Sequence, residues 1–188
     1  VVMIYSSSSI YAWERYKDGF FFLKRHLVFI IIGAVLTFLA MSMDYRILRK
    51  WAMPLLASSL FLLILVLIPG IGREVSGANR WFRFKFISFQ PSELANIALI
   101  IYIADFITRK ENQIRTLLKG FLPPMLILGF TILLILMQPD LGTSLALGMV
   151  VFIMLFVAGA RLSYLLSVVL VALPLLAVLI FSVPYRRM

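Results

Sequence analysis

Repeated apolar runs, separated by short charged connections, are the feature that most limits what this chain can fold into. Six runs approach or exceed the roughly 17 to 20 residues needed to cross the hydrocarbon core of a bilayer, and a shorter one opens the chain. The runs cover residues 1–12, 27–43, 51–69, 91–108, 121–138, 141–160 and 162–183. Composition agrees, because 63% of the residues are hydrophobic and only 14% are charged. We therefore predict an all-α, polytopic transmembrane helix bundle of about seven spans, with residues 1–188 forming a single transmembrane domain.

Both ends of the chain interrupt this pattern. The first run is too short to span a bilayer, and the chain begins with Val1 rather than Met. The other end stops at Met188, just after the last run gives way to a basic sequence. We therefore expect the chain to be part of a protein that is longer at both ends.

Several kinds of chemistry are excluded by the residues that the sequence lacks. Cysteine is absent, and the single histidine, His26, lies in a charged connection where a solvated role is typical. The sequence contains no nucleotide-binding P-loop and no HExxH metal motif. We therefore expect no coupling to ATP, no metal bound by the protein itself and no nucleic-acid partner. The sequence indicates no cofactor, and a requirement for a divalent cation is left open.

The charge distribution does not follow the usual rule that cytoplasmic loops are richer in Lys and Arg. One side of the predicted topology carries eight such residues: Arg46, Arg49, Lys50, Arg109, Lys110, Arg115, Lys119 and Arg161. The other side carries ten: Arg15, Lys17, Lys24, Arg25, Arg73, Arg80, Arg83, Lys85, Arg186 and Arg187. With a net charge of +10, this excess indicates an anionic partner, either a lipid-linked phosphate or pyrophosphate or anionic lipid headgroups.

The most polar stretch of the chain, residues 70–90, lies between two apolar runs. Its alternating basic and aromatic residues are typical of a segment lying in the membrane interface, which explains Arg83 and Lys85. Arg80 lies close to glycines, and a guanidinium in such a place suits bidentate recognition of phosphate. We therefore treat Arg80, together with Arg73 from the same stretch, as a candidate ligand of an anion.

Acidic and amide side chains near the helix starts have both a structural and a functional interpretation. Glu93, in the first turn of a predicted helix, can cap it, and Asp140 can cap the helix that follows Pro139. Asp105 and Arg109 are four residues apart and are predicted to pair. Polar groups near membrane depth are also functional candidates. Our candidate substrate-binding residues are Arg73, Arg80, Glu93, Gln138 and Asp140.

Four segments carry a resemblance to a known family. GREVSGANRW, FQPSELA, QPDLGTSL and PYRRM resemble, in order and spacing, the signature segments of the SEDS family, the FtsW, RodA and SpoVE group. GREV and PYRRM resemble FtsW or SpoVE more than RodA. The resemblance implies a bundle of roughly ten helices in the bacterial inner membrane, of which this chain supplies about the first seven. It also implies that residues 70–90 and the segment from Pro184 onward face outward.

The resemblance implies an enzyme that polymerises lipid II into glycan strands for the cell wall. It implies a class B penicillin-binding protein transpeptidase as partner, alongside other membrane proteins of the division machinery. The family's catalytic aspartate is expected in the external loop beyond Met188, so no catalytic residue is assigned here. Asn96 stands where the family usually carries a lysine, which leaves the contribution of a cation there open. Division, elongation and sporulation roles also stay open.

Two other functions compete with the polymerase. A lipid II flippase would need a polar path through the bundle, whereas the middles of the predicted spans are almost entirely apolar, which favours the enzyme. A scaffold for division proteins would explain the helices but not the placement of Arg80 and Asp140.

Overall fold

The computed structural model describes residues 20–68, 73–75, 78–83 and 88–182, without the side chains of residues 21, 25, 73–75, 78–80, 83, 88 and 175–182. The chain divides into two units, residues 1–47 and 48–188. The first predicted run, residues 1–12, lies outside the described residues.

The first unit contains helix α1, Phe21–Ser42. Apolar residues cover all sides of α1, and most of its side chains are exposed. A helix that is apolar all round is typical of a membrane span that faces lipid. Asp44 lies just before the next helix, and its Oδ1 accepts a hydrogen bond from the N–H of Arg46 in the first turn at 2.9 Å.

The remaining helices occur close to their predicted positions. Helix α2 begins in the first unit and continues into the second, and α3 to α6 belong to the second unit. Their bounds are α2 Tyr45–Leu67, α3 Pro91–Arg109, α4 Leu122–Leu136, α5 Leu141–Val157 and α6 Leu162–Ser182. The prediction of an all-α, polytopic membrane bundle is therefore confirmed.

Four helical segments of the described residues are long and apolar enough to cross a membrane. They are Phe22–Ser42, Tyr45–Leu67, Pro91–Arg109 and Leu117–Leu136. Helix α5, Leu141–Val157, is shorter, as is Leu162–Pro174, the part of α6 whose side chains are described. For α5 the shorter length corrects the predicted span 141–160, because Gly159 takes a left-handed φ of 81° and ends the helix, as glycine commonly does just beyond a helix C-terminus.

Side chains from helices α2 to α6 together form the core of the second unit. Leu63 of α2, Leu99 and Ile103 of α3, Ile135 of α4 and Leu155 of α5 are fully buried. Other apolar side chains on the same helices, such as Ile64, Ile97 and Leu133, are exposed. This division between one buried stripe and apolar outer faces is expected when lipid surrounds a bundle.

The described residues of the polar stretch 70–90, for which an interfacial location was predicted, form a small sheet. Strands β1 (Arg73–Val75), β2 (Ala78–Arg83) and β3 (Ser88–Phe89) form a three-stranded antiparallel sheet in the order β1-β2-β3. No conformation was predicted for this segment from the sequence, although alternating aromatic and basic residues have a period of two, which suits a strand. Strand β2 lies beside α3.

The connection between α3 and α4 is folded rather than extended. It contains a short 3-10 helix, Glu111–Gln113, and a π-helical turn, Leu117–Phe121, that leads directly into α4. Gly120 in this turn packs so closely on the earlier part of the connection that an added Cβ would lie 2.0 Å from the backbone oxygen of Gln113. The ring centroids of Phe121 and Tyr164 are 5.5 Å apart, so the turn packs against the start of α6.

We expect Lys85 and Lys119 to lie on opposite sides of the membrane, since α3 separates them. Its 19 residues span about 28 Å, close to the thickness of the hydrocarbon core. Cysteines introduced singly at these positions in this Cys-free chain should therefore differ in labelling by a membrane-impermeant maleimide added to intact cells. Both cysteines should react equally once the membrane is permeabilised, which is the control. Equal labelling in intact cells would contradict the topology.

Candidate functional site

A polar cluster surrounds Asp140 at the end of the bundle where α3 begins. We call this end of the bundle the sheet end, because strand β3 leads directly into α3. Asp140 is the N-cap of α5, and its Oδ1 accepts a hydrogen bond from the N–H of Thr143 at 3.1 Å. Its Oδ2 accepts one from the Thr143 hydroxyl at 2.8 Å. The predicted capping role of Asp140 is confirmed.

Gln90 connects this cap to α3. Its Nε2 donates a hydrogen bond to Oδ2 of Asp140 at 3.3 Å, and its backbone forms the N-cap of α3 immediately before Pro91. Proline suits this first helical position because it has no N–H that would need an acceptor. The FQPSELA and QPDLGTSL segments are therefore adjacent in space as well as similar in composition.

Gln138 attaches the same end of the bundle to α2. The residue is 1% exposed, and its Nε2 donates to the backbone oxygen of Leu63 at 3.5 Å. An amide buried at this depth is stabilised by such contacts. The structure therefore brings Gln138 and Asp140, two predicted site residues, to one end of the bundle.

Ser92 and Asn96 place further polar atoms on α3 near this end. The two residues are four apart and share one face of the helix. Ser92 Oγ and Asn96 Oδ1 are buried and lack a hydrogen-bond partner among the described residues. A buried polar atom without a partner costs about 1 to 3 kcal/mol, so such atoms are candidates for contact with a polar ligand.

Glu93 lies in the first turn of α3 and is exposed. No hydrogen bond from the described part of the chain reaches its carboxylate, so the cap suggested by the sequence is not formed. A carboxylate in the first turn still interacts favourably with the positive end of the helix dipole. It is therefore available to a ligand at the sheet end.

For Arg73 and Arg80 the structure describes only the backbone. In the sheet, Arg73 is opposite Trp81, with a bulge between Arg73 and Glu74. This register brings Arg73 within one residue of Arg80 across the two strands. Their contact with an anion stays a prediction, as does the role of every candidate substrate-binding residue.

The opposite end of the bundle, which we call the arginine end, contains a second charged cluster. Asp105 on α3 is buried, and its Oδ1 accepts a hydrogen bond from Nε of Arg49 on α2 at 2.9 Å. Its Oδ2 pairs with Nη2 of Arg109, four residues later on α3. The predicted pair of Asp105 and Arg109 is confirmed, and Arg49 is an additional partner.

The middle of the described bundle has little polarity. Ser59 on α2 and Thr131 on α4 are fully buried, but each hydroxyl donates to a backbone oxygen of its own helix, Leu56 at 2.8 Å and Ile127 at 2.8 Å. Such bonds satisfy a hydroxyl inside an apolar bundle without a partner helix. Between the two charged ends, the described residues thus provide no continuous polar path.

Sequence reasoning missed three members of these clusters. Gln90 and Ser92 belong to the FQPSELA segment, and Arg49 lies 56 residues from its partner Asp105. From the sequence, Arg49 was predicted to lie in the connection before the run 51–69, whereas the helix begins at Tyr45 and includes Arg49. No group of three or more His, Asp or Glu residues that could hold a metal ion occurs in the described part of the chain.

Comparison with known proteins identifies relatives over the whole chain. A family model, FTSW_RODA_SPOVE, described as "Cell cycle protein", matches residues 1–188. A probable peptidoglycan glycosyltransferase FtsW from Geobacter sulfurreducens is 46% identical over 100% of this chain and 50% of its own length. Stage V sporulation protein E from Bacillus subtilis is 38% identical over 99% of this chain and 51% of its own length.

Solved structures agree in fold. A chain from a structure described as "Structural coordination of polymerization and crosslinking by a peptidoglycan synthase complex" has a TM-score of 0.72 at 37% identity, covering 88% of this chain and 48% of that chain. The rod shape determining protein RodA of Thermus thermophilus has a TM-score of 0.71 at 34% identity, covering 93% of this chain and 56% of its own. This chain spans about half the length of the curated relatives it matches. It belongs to the FtsW, RodA and SpoVE family of cell cycle proteins.

Proposed function

We propose that this chain is part of a peptidoglycan glycosyltransferase that polymerises lipid II in the bacterial inner membrane. The observation that carries the proposal is its 46% identity, along its entire length, to a probable peptidoglycan glycosyltransferase. The polar sheet end supports it, because a polymerase acting on a lipid-linked sugar needs polar contacts at one membrane surface. There Gln90, Gln138 and Asp140 converge from the starts and ends of different helices.

In this proposal, the donor lipid lies against the bundle with its pyrophosphate at the sheet end. Transfer of the glycan breaks the bond between the donor sugar and the pyrophosphate and forms a bond to a hydroxyl oxygen of the acceptor sugar. Cations beside the leaving pyrophosphate stabilise the charge that develops on it, and Arg73 and Arg80 are the candidates. A carboxylate takes the proton of the attacking hydroxyl. Within residues 1–188 we assign that role to no residue.

The apolar middle of the bundle favours a polymerase over the alternative, a lipid II flippase. A flippase must carry a charged pyrophosphate and its sugars past the centre of the membrane, where unpaired polar groups are costly. The buried hydroxyls of Ser59 and Thr131 are already bonded to their own helices. A polymerase needs polarity only where its reaction occurs, which agrees with the described distribution.

A class B penicillin-binding protein is the proposed partner, because a related chain was solved in work on a complex that coordinates polymerisation and crosslinking. Polymerisation of glycan strands and their crosslinking are consecutive reactions, so a membrane partner with transpeptidase activity suits this chain. We propose cell division as the setting, given the similarity to FtsW proteins.

The test of the proposal is polymerisation of lipid II by the full-length protein together with its transpeptidase partner. Arg80→Lys should lower the rate by roughly one to two decades at equal protein level, because Lys keeps the charge but lacks the planar fork that binds phosphate in a bidentate manner. Arg83→Lys is the matched control on the same strand and should be nearly silent. Membrane abundance of each variant is checked by blot.

Two results would count against parts of the proposal. Absence of polymerisation by the parent protein under these conditions would contradict the glycosyltransferase assignment. Parent-like polymerisation by Arg80→Lys would leave Arg80 as an interfacial anchor, and the pyrophosphate site would then be sought around Arg73 and the pair Arg186 and Arg187.

A further inference from the structure

The two arginines at the arginine end are held side by side by one carboxylate. Asp105 uses Oδ1 for Arg49 and Oδ2 for Arg109, so the two guanidinium groups approach the two oxygens of a single buried group. The side chain of Asp105 is 5% exposed, whereas those of Arg49 and Arg109 are 50% and 49% exposed. The pair therefore has an anchored inner side and an open outer side.

The charge of this cluster is not balanced. One carboxylate faces two guanidinium groups, which leaves a net positive charge beside a membrane span. Each guanidinium has five N–H donors, and the ion pairs with Asp105 engage Nε of Arg49 and Nη2 of Arg109. Further donors of two prepositioned forks therefore lie on the exposed side, an arrangement that suits the oxygens of a phosphate group.

The surroundings place this arrangement at the level of lipid headgroups. The connection after α3 carries Arg115 and Lys119, both exposed, on either side of the exposed Leu117 and Leu118. Leucines flanked by cations are typical of a segment that inserts its apolar side chains below the headgroups and keeps its charges among them. Seven cations of the second unit belong to this end: Arg49, Lys50, Arg109, Lys110, Arg115, Lys119 and Arg161.

At the arginine end, the described residues of the second unit include only two carboxylates beside these cations. They are Asp105, which is already paired, and Glu111, which is exposed. Charge complementarity therefore favours an anionic occupant, and the neighbouring leucines favour one that is part of the bilayer.

We propose that Arg49 and Arg109, positioned by Asp105, bind the phosphate of an anionic phospholipid in the leaflet at the arginine end. This site is separate from the proposed reaction site, because α3 places the two ends about 28 Å apart. The lipid supplies the negative charge that Asp105 alone does not provide. Its phosphate would bridge α2 and α3, which the bond between Arg49 and Asp105 already joins.

The test is a lipid titration of the purified full-length protein in detergent, read by native mass spectrometry, with dioleoyl phosphatidylglycerol compared with dioleoyl phosphatidylcholine. Arg49→Lys keeps the charge and removes the fork, and should weaken phosphatidylglycerol binding about tenfold, the effect of losing one charge-assisted contact. Arg115→Lys is the matched control: it makes the same replacement at an exposed position of the same end and should bind like the parent.

Folding is checked by the thermal midpoint of each variant in phosphatidylcholine. If Arg49→Lys proves unstable there, Arg109→Lys takes its place, with the same expected loss of binding. Parent-like binding by the stable variant would overturn the proposal, because diffuse attraction to charge alone does not distinguish Lys from Arg. Equal binding of phosphatidylcholine by the parent would also overturn it, as would stabilisation by inorganic phosphate equal to that by the lipid.

Discussion

Gly120→Ala should destabilise the folded protein by about 3 kcal/mol, one of the two largest effects that we expect from the described residues. An added Cβ would lie 2.0 Å from the oxygen and 2.6 Å from the carbon of the Gln113 carbonyl. These are backbone atoms, which cannot rotate away as a flexible side chain can. The π-helical turn Leu117–Phe121 would have to separate from the 3-10 helix before it. A lower thermal midpoint and a smaller folded fraction in detergent are the measurements.

Gly129→Ala provides the control for this prediction. Gly129 lies within the following helix, α4, and a Cβ there would have no heavy atom within 4 Å apart from the adjacent backbone of its own helix. Alanine in a helix interior is favoured over glycine by roughly 0.5 to 1 kcal/mol, so this variant should be as stable as the parent or more so. If both variants behaved alike, the close packing at Gly120 would not be the cause.

Asp140→Ala should lower stability by about 2 kcal/mol or more, since it removes the N-cap of α5 and a link to α3 together. The cap contributes about 1 to 2 kcal/mol, and the hydrogen bond from Gln90 about 1 kcal/mol. The bonds that are lost are those from the N–H and hydroxyl of Thr143 and from Nε2 of Gln90. Thermal unfolding in detergent measures the loss.

Asp140→Asn separates the structural role of this residue from a role in binding substrate. Asparagine is as good an N-cap as aspartate and keeps an oxygen for the N–H of Thr143, so the variant should lose at most the hydrogen bond from Gln90, about 1 kcal/mol. If its rate of lipid II polymerisation then falls about tenfold, the carboxylate contacts substrate; an unchanged rate removes Asp140 from the candidate set. Asp44→Ala is a control for capping in general, because the exposed Asp44 accepts only the bond from Arg46 among the described contacts, and its loss should cost less than 1 kcal/mol.

The helices were predictable because their signals are local. Length and hydropathy placed α3 to α6 within a few residues of their observed bounds, whereas α2 begins at Tyr45 rather than at residue 51. Pro91 and Asp140 marked helix starts through their own chemistry. The sheet was not predicted, since alternation of aromatic and basic residues suits both a strand and an interfacial segment. The conformation is decided by pairing between strands, which a single segment does not reveal.

The site was predictable only in part, for a similar reason. The pair of Asp105 and Arg109 follows from helical spacing, and the cap at Asp140 from its position before an apolar run. The links from Gln90 to Asp140 and from Arg49 to Asp105 join residues 50 and 56 positions apart. Such links depend on how helices pack against one another, and one sequence contains no direct record of that packing.

The apolar middle of the bundle has a consequence for how the protein responds to voltage. A charge that moves through the whole transmembrane potential changes energy by about 2.3 kcal/mol per 100 mV. Asp105 with its two arginines lies near one end of α3, and Asp140 near the other, while the buried hydroxyls between them carry no net charge. Rearrangement of this part of the bundle would then transfer almost no charge across the field. A cell that loses its membrane potential should therefore retain the conformational equilibrium of these helices, and with it any activity that depends on them alone.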